Sequence, residues 1–184
     1  MVSPYTSQYP EGVVVPPAVV EFFQEFYKTS DTPDAHVQYA HLFTDDATFI
    51  LASKLSSGRH GTSKKKGAGE GRLMTCIPEI LATRQGMWSA VLARRHRPLK
   101  VFPFGGDGLE FMLYGTVEYT LKTGLESRAD WAARAVLADV DGGLQLKFYQ
   151  VYLVRSPVAH VVAEWLTRVQ DTAAMSKSTQ TLSC

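Results

Sequence analysis

The order in which helical and strand patterns follow one another constrains this chain most. Two short amphipathic helices precede the segment FTDDATFIL (Phe43–Leu51), a third helix follows it, and four β-runs are then packed into Arg95–Val154. A sheet of that size must bury one face, and the three preceding helices are what the chain offers to cover it. The order therefore predicts a single α+β domain in which a strongly curved antiparallel sheet wraps three N-terminal helices and leaves a pocket between them.

Each element has its own signature. Val19, Phe22, Phe23 and Phe26 recur at helical spacing, with Glu21, Gln24 and Glu25 between them, so one apolar stripe runs along a helix over Val19–Thr29, with Tyr27 beside it. Asp34 fits the N-cap of a second helix carrying Val37, Ala40 and Leu42, which Asp45-Asp46 ends before a strand Ala47–Ala52. Ile77, Ile80, Leu81, Arg84, Met87, Trp88 and Val91 share one face of a third helix, with Pro78 near its start and its end near Ala90. The β-runs Arg95–Phe104, Leu109–Leu121, Ala129–Val140 and Leu144–Val154 are joined by GGDG, KTG and DVDGG, which supply the Gly and Asp of tight hairpins.

The flanks read differently. Residues 1–17, rich in Pro, Ser, Tyr and Gly, form a flexible arm that is ordered only if it docks. The domain spans residues 18–170, with an amphipathic last piece at Val158–Val169, and residues 171–184 are a disordered tail. Between Ser53 and Gly71 a Ser, Gly and Lys stretch with almost nothing to bury predicts a mobile loop. Within it, Lys64–Lys66 reads as a solvated run, and His60 could reach a pocket mouth.

Composition removes several classes of function. The 184 residues carry a formal net charge of +1 with dispersed basic groups, which leaves no footprint for a nucleic-acid or membrane-surface partner. The two cysteines, Cys76 and Cys184, have neither disulfide-framework nor metal-ligand spacing. No apolar run is long enough to span a bilayer and no secretory leader opens the chain, so the expected setting is soluble and cytoplasmic. Without a Gly-rich dinucleotide motif or a metal cluster, the expected cofactor is none.

The segment FTDDATF, the helix ending in RQGMW, and the strands KVFPFG, YGTVEY, DWAARA and KFYQVYLV resemble the nuclear-transport-factor-2-like superfamily over roughly Val19–Val154. They are similar in particular to small SnoaL-like proteins of fungal secondary metabolism. The resemblance implies a cone-shaped fold, and it extends to cyclases, dehydratases such as scytalone dehydratase, ketosteroid isomerase and non-catalytic adaptors. Ketosteroid isomerase's own apparatus is not matched: Leu51 stands where its carboxylate base would be, and neither phenol nor acid stands near Phe23, Trp131 or Ala133.

Strand alternation then selects pocket residues. It points Phe111, Leu113, Gly115, Val117 and Tyr119 inward on one strand, Trp131, Ala133, Ala135 and Leu137 on the next, and Leu146, Phe148, Gln150 and Tyr152 on the last. Arg134 and Glu118 fall outside as a cross-strand pair. His96 shares parity with Phe102 and Phe104, and an imidazole titrates near neutrality, so His96 is the candidate proton-transfer residue, although RRHRP reads equally as a solvated strand start. Gln150 and Tyr152 are its expected catalytic partners, with Tyr27, Trp88, Phe102, Tyr119, Trp131 and Phe148 as substrate-binding walls. The resulting expectation is a cofactor-independent isomerase, cyclase or dehydratase acting on a hydrophobic polycyclic intermediate; a small-molecule carrier and a protein-interaction adaptor are the alternatives. Tyr114, Tyr149 and Val151 on the outer sheet face suggest a homodimer.

Overall fold

The computed structural model describes residues 3–51, 54–57, 79–105 and 108–153. Within them the chain forms helix α1 (Pro17–Asp31), helix α2 (His36–His41), strands β1 (Phe43–Leu51) and β2 (Lys54–Ser57), helix α3 (Glu79–Met87), and strands β3 (Val91–Phe104), β4 (Glu110–Leu121), β5 (Glu126–Val140) and β6 (Gly143–Leu153). The sheet order is β2-β1-β6-β5-β4-β3. β3 to β6 form the expected antiparallel meander. β1 runs parallel to β6, so the sheet is mixed and not purely antiparallel.

α1 starts with proline at its first positions, where no backbone N–H is needed, and turns Val19, Phe22, Phe23, Phe26 and Tyr27 onto the sheet. Phe23 meets Phe111 edge-on with ring centroids 5.2 Å apart, and Phe26 meets Tyr149 at 5.1 Å. Around them Phe43, Phe49, Leu113, Ala133, Ala135, Leu137 and Leu146 close one apolar core. Gly115 is needed where β4 crosses under Trp131: a Cβ there would lie 2.8 Å from the indole Cζ2 and 2.3 Å from the Arg97 carbonyl oxygen.

Several boundaries differ from expectation for local reasons. Ala35, not Asp34, precedes α2, and no side chain caps that helix. β1 begins at Phe43, and Asp45-Asp46 are exposed residues inside it, opposite an irregularity in its pairing with β6. Part of the expected loop after Ser53 is strand β2, paired antiparallel with β1 from Thr48 to Leu51. The rest of that loop, with His60 and Lys64–Lys66, lies outside the described residues, as do Cys76, the piece Val158–Val169 and the tail 171–184.

The arm is docked. β3 is an edge strand carrying Pro98 and Pro103, which an edge tolerates. Gln8 bridges it in parallel: the Gln8 N–H donates to the Leu99 carbonyl at 2.9 Å, and the Val101 N–H donates to the Gln8 carbonyl at 3.0 Å. Tyr5, Tyr9 and Val15 pack against the core beyond that bridge.

Bulges determine which side chains reach the interior. Val136 pairs with Phe148 but Leu137 pairs with Leu146, so Lys147 is an extra residue in β6 and the inward parity changes there. Leu146 faces in, and beyond the bulge Tyr149, Val151 and Leu153 face in. Phe148, Gln150 and Tyr152 are therefore on the outer face, contrary to simple alternation, and Tyr152 is 44% exposed. The same shift removes Tyr149 and Val151 from the outer surface expected to support a dimer. A second extra residue, Leu99, separates the Pro98 and Lys100 pairings in β3, so that His96 and Val101 face in while Phe102 stacks on Tyr114 outside. Arg134 pairs with Glu110 at 2.6 Å, and the expected partner Glu118 instead lies 3.8 Å from Arg97.

Candidate functional site

Where α1 ends, the buried surface stops being hydrocarbon. Asp31, one turn beyond Tyr27 on the inward side of α1, has a side chain only 5% exposed, in a place where an unpaired carboxylate would be strongly disfavoured. β3 supplies its partners. The His96 backbone N–H donates to Asp31 Oδ2 at 2.6 Å, and His96 Nδ1 lies 2.5 Å from Oδ1. Arg94 Nε is 3.4 Å from the same Oδ1, and its Nη2 donates to the Ser30 backbone carbonyl and, at 3.0 Å, to Ser30 Oγ. The last turn of α1 is thus tied to β3 through one carboxylate, one guanidinium and one imidazole.

The imidazole lies at the wall of a cavity of about 40 Å³. Its polar lining is Arg94, His96, Tyr27, Tyr39, Tyr119, Tyr149, Ser30 and Trp131, and its apolar side includes Val117, Val151 and, at chain ends of described elements, Leu51, Met87 and Leu153. Tyr27 and Tyr149 share one hydrogen bond, their hydroxyl oxygens 3.3 Å apart. The Tyr27 ring leans on both His96 and Trp131, at centroid separations of 5.4 and 5.3 Å.

Burial governs the protonation of these groups. It lowers the His96 pKa from the ordinary histidine value; Asp31 works in the opposite direction, while Arg94 and Arg84 add to the lowering, so the balance favours the neutral ring. A neutral imidazole beside a carboxylate is assigned the tautomer that donates Nδ1–H to it, which leaves the Nε2 lone pair as the basic atom. Tyr27, Tyr39, Tyr119 and Tyr149 are all raised by burial and stay protonated as hydrogen-bond donors. The docked arm contributes too: the Tyr5 phenol is raised by burial and by the neighbouring Asp31 carboxylate.

Of the residues expected from sequence, His96, Tyr27, Tyr119 and Trp131 converge on the cavity. Gln150, Tyr152, Phe102 and Phe148 do not; Phe148 instead lies under the Arg134 guanidinium at 4.7 Å. Trp88 is buried but is not part of the cavity lining. Its ring is stacked by two guanidinium groups, Arg84 at 4.8 Å and Arg94 at 5.0 Å, and Arg84 is anchored by donating to the Thr29 and Thr32 carbonyls at 3.1 and 2.6 Å. Asp31, Arg94, Ser30 and Tyr149 were missed. Asp31 had a legible signal, since it continues the Val19–Tyr27 stripe, and a charge on an apolar stripe requires a partner.

A cavity of 40 Å³ is well below the roughly 150 Å³ that admits a benzene ring. It suits the reacting end of a larger molecule and not the whole of it. Among the described residues no cluster of three or more His, Cys, Asp or Glu could hold a metal ion, and no helix is long and apolar enough to cross a membrane.

No protein-family model and no curated protein sequence matches the chain. Solved structures do. A proposed scytalone dehydratase from Novosphingobium aromaticivorans superposes with a TM-score of 0.60 at 12% identity, over 75% of this chain and 83% of that one. ActVI-ORFA from Streptomyces coelicolor gives 0.55 at 19%, over 74% and 94%. An NTF2-like protein of unknown function from Exiguobacterium sp. 255-15 gives 0.52 at 15%, over 73% and 99%. At these identities the likeness is one of fold.

Proposed function

We propose that this chain, which has the nuclear-transport-factor-2-like fold, uses the Asp31–His96 pair as a proton-transfer site in a cofactor-independent isomerase, dehydratase or cyclase. Its substrate is a hydrophobic, oxygenated small molecule whose reacting end enters the cavity. The observation that carries this reading is the 2.5 Å approach of His96 Nδ1 to a buried carboxylate at the wall of a cavity. Such a pairing fixes the ring orientation and stabilises the imidazolium that forms when Nε2 takes a proton. The solved structure of a proposed scytalone dehydratase with the same fold is consistent with it.

The chemistry balances without a further reactant. His96 Nε2 removes a proton from the carbon beside a carbonyl, and the C–H electron pair moves into the ring or chain to leave charge on the carbonyl oxygen. The imidazolium then returns that proton to another carbon in an isomerisation, or to a departing hydroxyl, released as water, in a dehydration. In a cyclisation the same carbanion equivalent attacks a second carbonyl, whose oxygen takes the proton. Phenolic donors and apolar walls hold the ligand while its charge develops.

A test needs no knowledge of the natural product. Wild-type protein and His96→Ala are incubated in D₂O with a panel of enolisable cyclic ketones, and deuterium incorporation at the α-carbon is followed by NMR. Wild type should exchange on the order of 10²–10⁴ times faster than His96→Ala. Equal rates for the two, or no exchange above solvent background across the panel, would overturn the reading.

A binding or adaptor role of the same fold is favoured by one separate observation, the exposed Phe102–Tyr114 stack on the outer sheet face beside Phe104 and Met112. That face is also our proposed homodimer contact, for which sedimentation at micromolar concentration is the check.

A further inference from the structure

Trp131 is 3% exposed, and its Nε1–H is a buried donor with no hydrogen-bond partner. A buried N–H without an acceptor costs on the order of 1–3 kcal/mol, so such groups are normally met by protein, water or ligand. Here the residue lines the cavity. Its ring also contacts the two groups that matter most: His96 edge-on at 5.9 Å and Tyr27 at 5.3 Å. The indole cannot be placed loosely, because it lies against β4 where Gly115 has no Cβ to hold it off.

We infer that the Trp131 Nε1–H is a substrate-directed donor that holds the carbonyl oxygen of the ligand while His96 works on the neighbouring carbon. This rests on the proton-transfer reading and specifies its ligand as one presenting a hydrogen-bond-accepting oxygen beside an acidic C–H. The other buried polar groups of the cavity fit that requirement. Tyr27 and Tyr149 share a single hydrogen bond, which uses one hydroxyl proton and leaves the other for a further acceptor. A ligand oxygen, which accepts twice, can take the Trp131 N–H, and negative charge developing on it strengthens the bond in the transition state. An indole N–H is suited to this role, since it donates, cannot accept, and does not titrate.

The test is spectroscopic and uses a matched pair of probes. Cyclohexanone and methylenecyclohexane have nearly the same shape, but only the ketone accepts a hydrogen bond. The chain has three tryptophans, so ¹H–¹⁵N spectra show few indole cross-peaks, and the one lost in Trp131→Phe is assigned. If that variant does not fold, contacts from its indole proton to the Tyr27 and His96 ring protons assign it in the wild type. The expected result is a downfield shift of the Trp131 N–H on titration with cyclohexanone and none with methylenecyclohexane. Trp131→Phe should bind the ketone roughly threefold to tenfold more weakly and the alkene equally well. Cyclohexanone perturbing His96 but leaving the Trp131 N–H unmoved would overturn the donor role while leaving the proton-transfer site standing. Absence of binding by either probe would overturn the donor role and its ligand class together, and the deuterium exchange assay would separately decide the fate of His96.

Discussion

The two ends of α1 sit on the same sheet and are built in opposite ways. Toward its start, Val19, Phe22 and Phe23 belong with Phe111, Ala135 and Leu137 to one apolar core with no charge in it. Toward its end, Ser30 and Asp31 meet Arg94 and His96, and Arg84 with Arg94 encloses Trp88. The first end stabilises by removing hydrocarbon from water. The second buries two guanidinium groups, a carboxylate and an imidazole, an arrangement that hydrophobic residues of equal volume would often match or exceed in stability. A cluster of this kind beside a cavity is what the proposed proton-transfer role would draw on.

That contrast can be broken most severely at either end. Phe111→Ala should cost about 3–5 kcal/mol in denaturant unfolding, as expected for a fully buried ring, with per-molecule exchange activity retained in the fraction that folds. Asp31→Ala should cost a comparable amount, about 3–5 kcal/mol, because it strands the Arg94 guanidinium in a site only 2% exposed, and it should abolish exchange activity as well. Loss of stability with activity intact in Asp31→Ala would erase the distinction between the two ends.

A smaller effect should appear in pH. The folded-state pKa of His96 lies below its unfolded value, so the unfolded chain binds the extra proton. Stability is then fully present above about pH 6.5 and falls as the pH drops below it. Urea midpoints measured from pH 8 to pH 5 should show this decline in the wild type, and His96→Gln should flatten the histidine part of it. The smallest effect is expected at Tyr152→Phe: the outward hydroxyl should change stability by no more than about 0.5 kcal/mol and leave exchange unaltered.

The sequence revealed the parts of the molecule set by local periodicity. The α1 stripe, the meander and its turns, and the inward faces of β4 and β5 were all legible because the pairing register of β4 with β5 is unbroken. It failed where one extra residue changes the parity. Lys147 in β6 exchanges Gln150 and Tyr152 for Tyr149 and Val151, and Leu99 in β3 turns Phe102 out. Nothing local to KFYQ or RPLK marks a bulge, since it is the pairing with the neighbouring strand that creates it. The Asp31–His96 pair was hidden differently. Its members are 65 residues apart and meet only once α1 lies across β3.

The central claim is that His96 is a neutral base held by Asp31, and ¹⁵N NMR of the histidine ring nitrogens measures it without a substrate. Followed from pH 8 to pH 5, His96 should show the Nδ1–H tautomer at pH 7, with an unprotonated Nε2, and should titrate below about 6.5. An imidazolium at pH 7, or a proton resident on Nε2 with Nδ1 bare, would contradict the account.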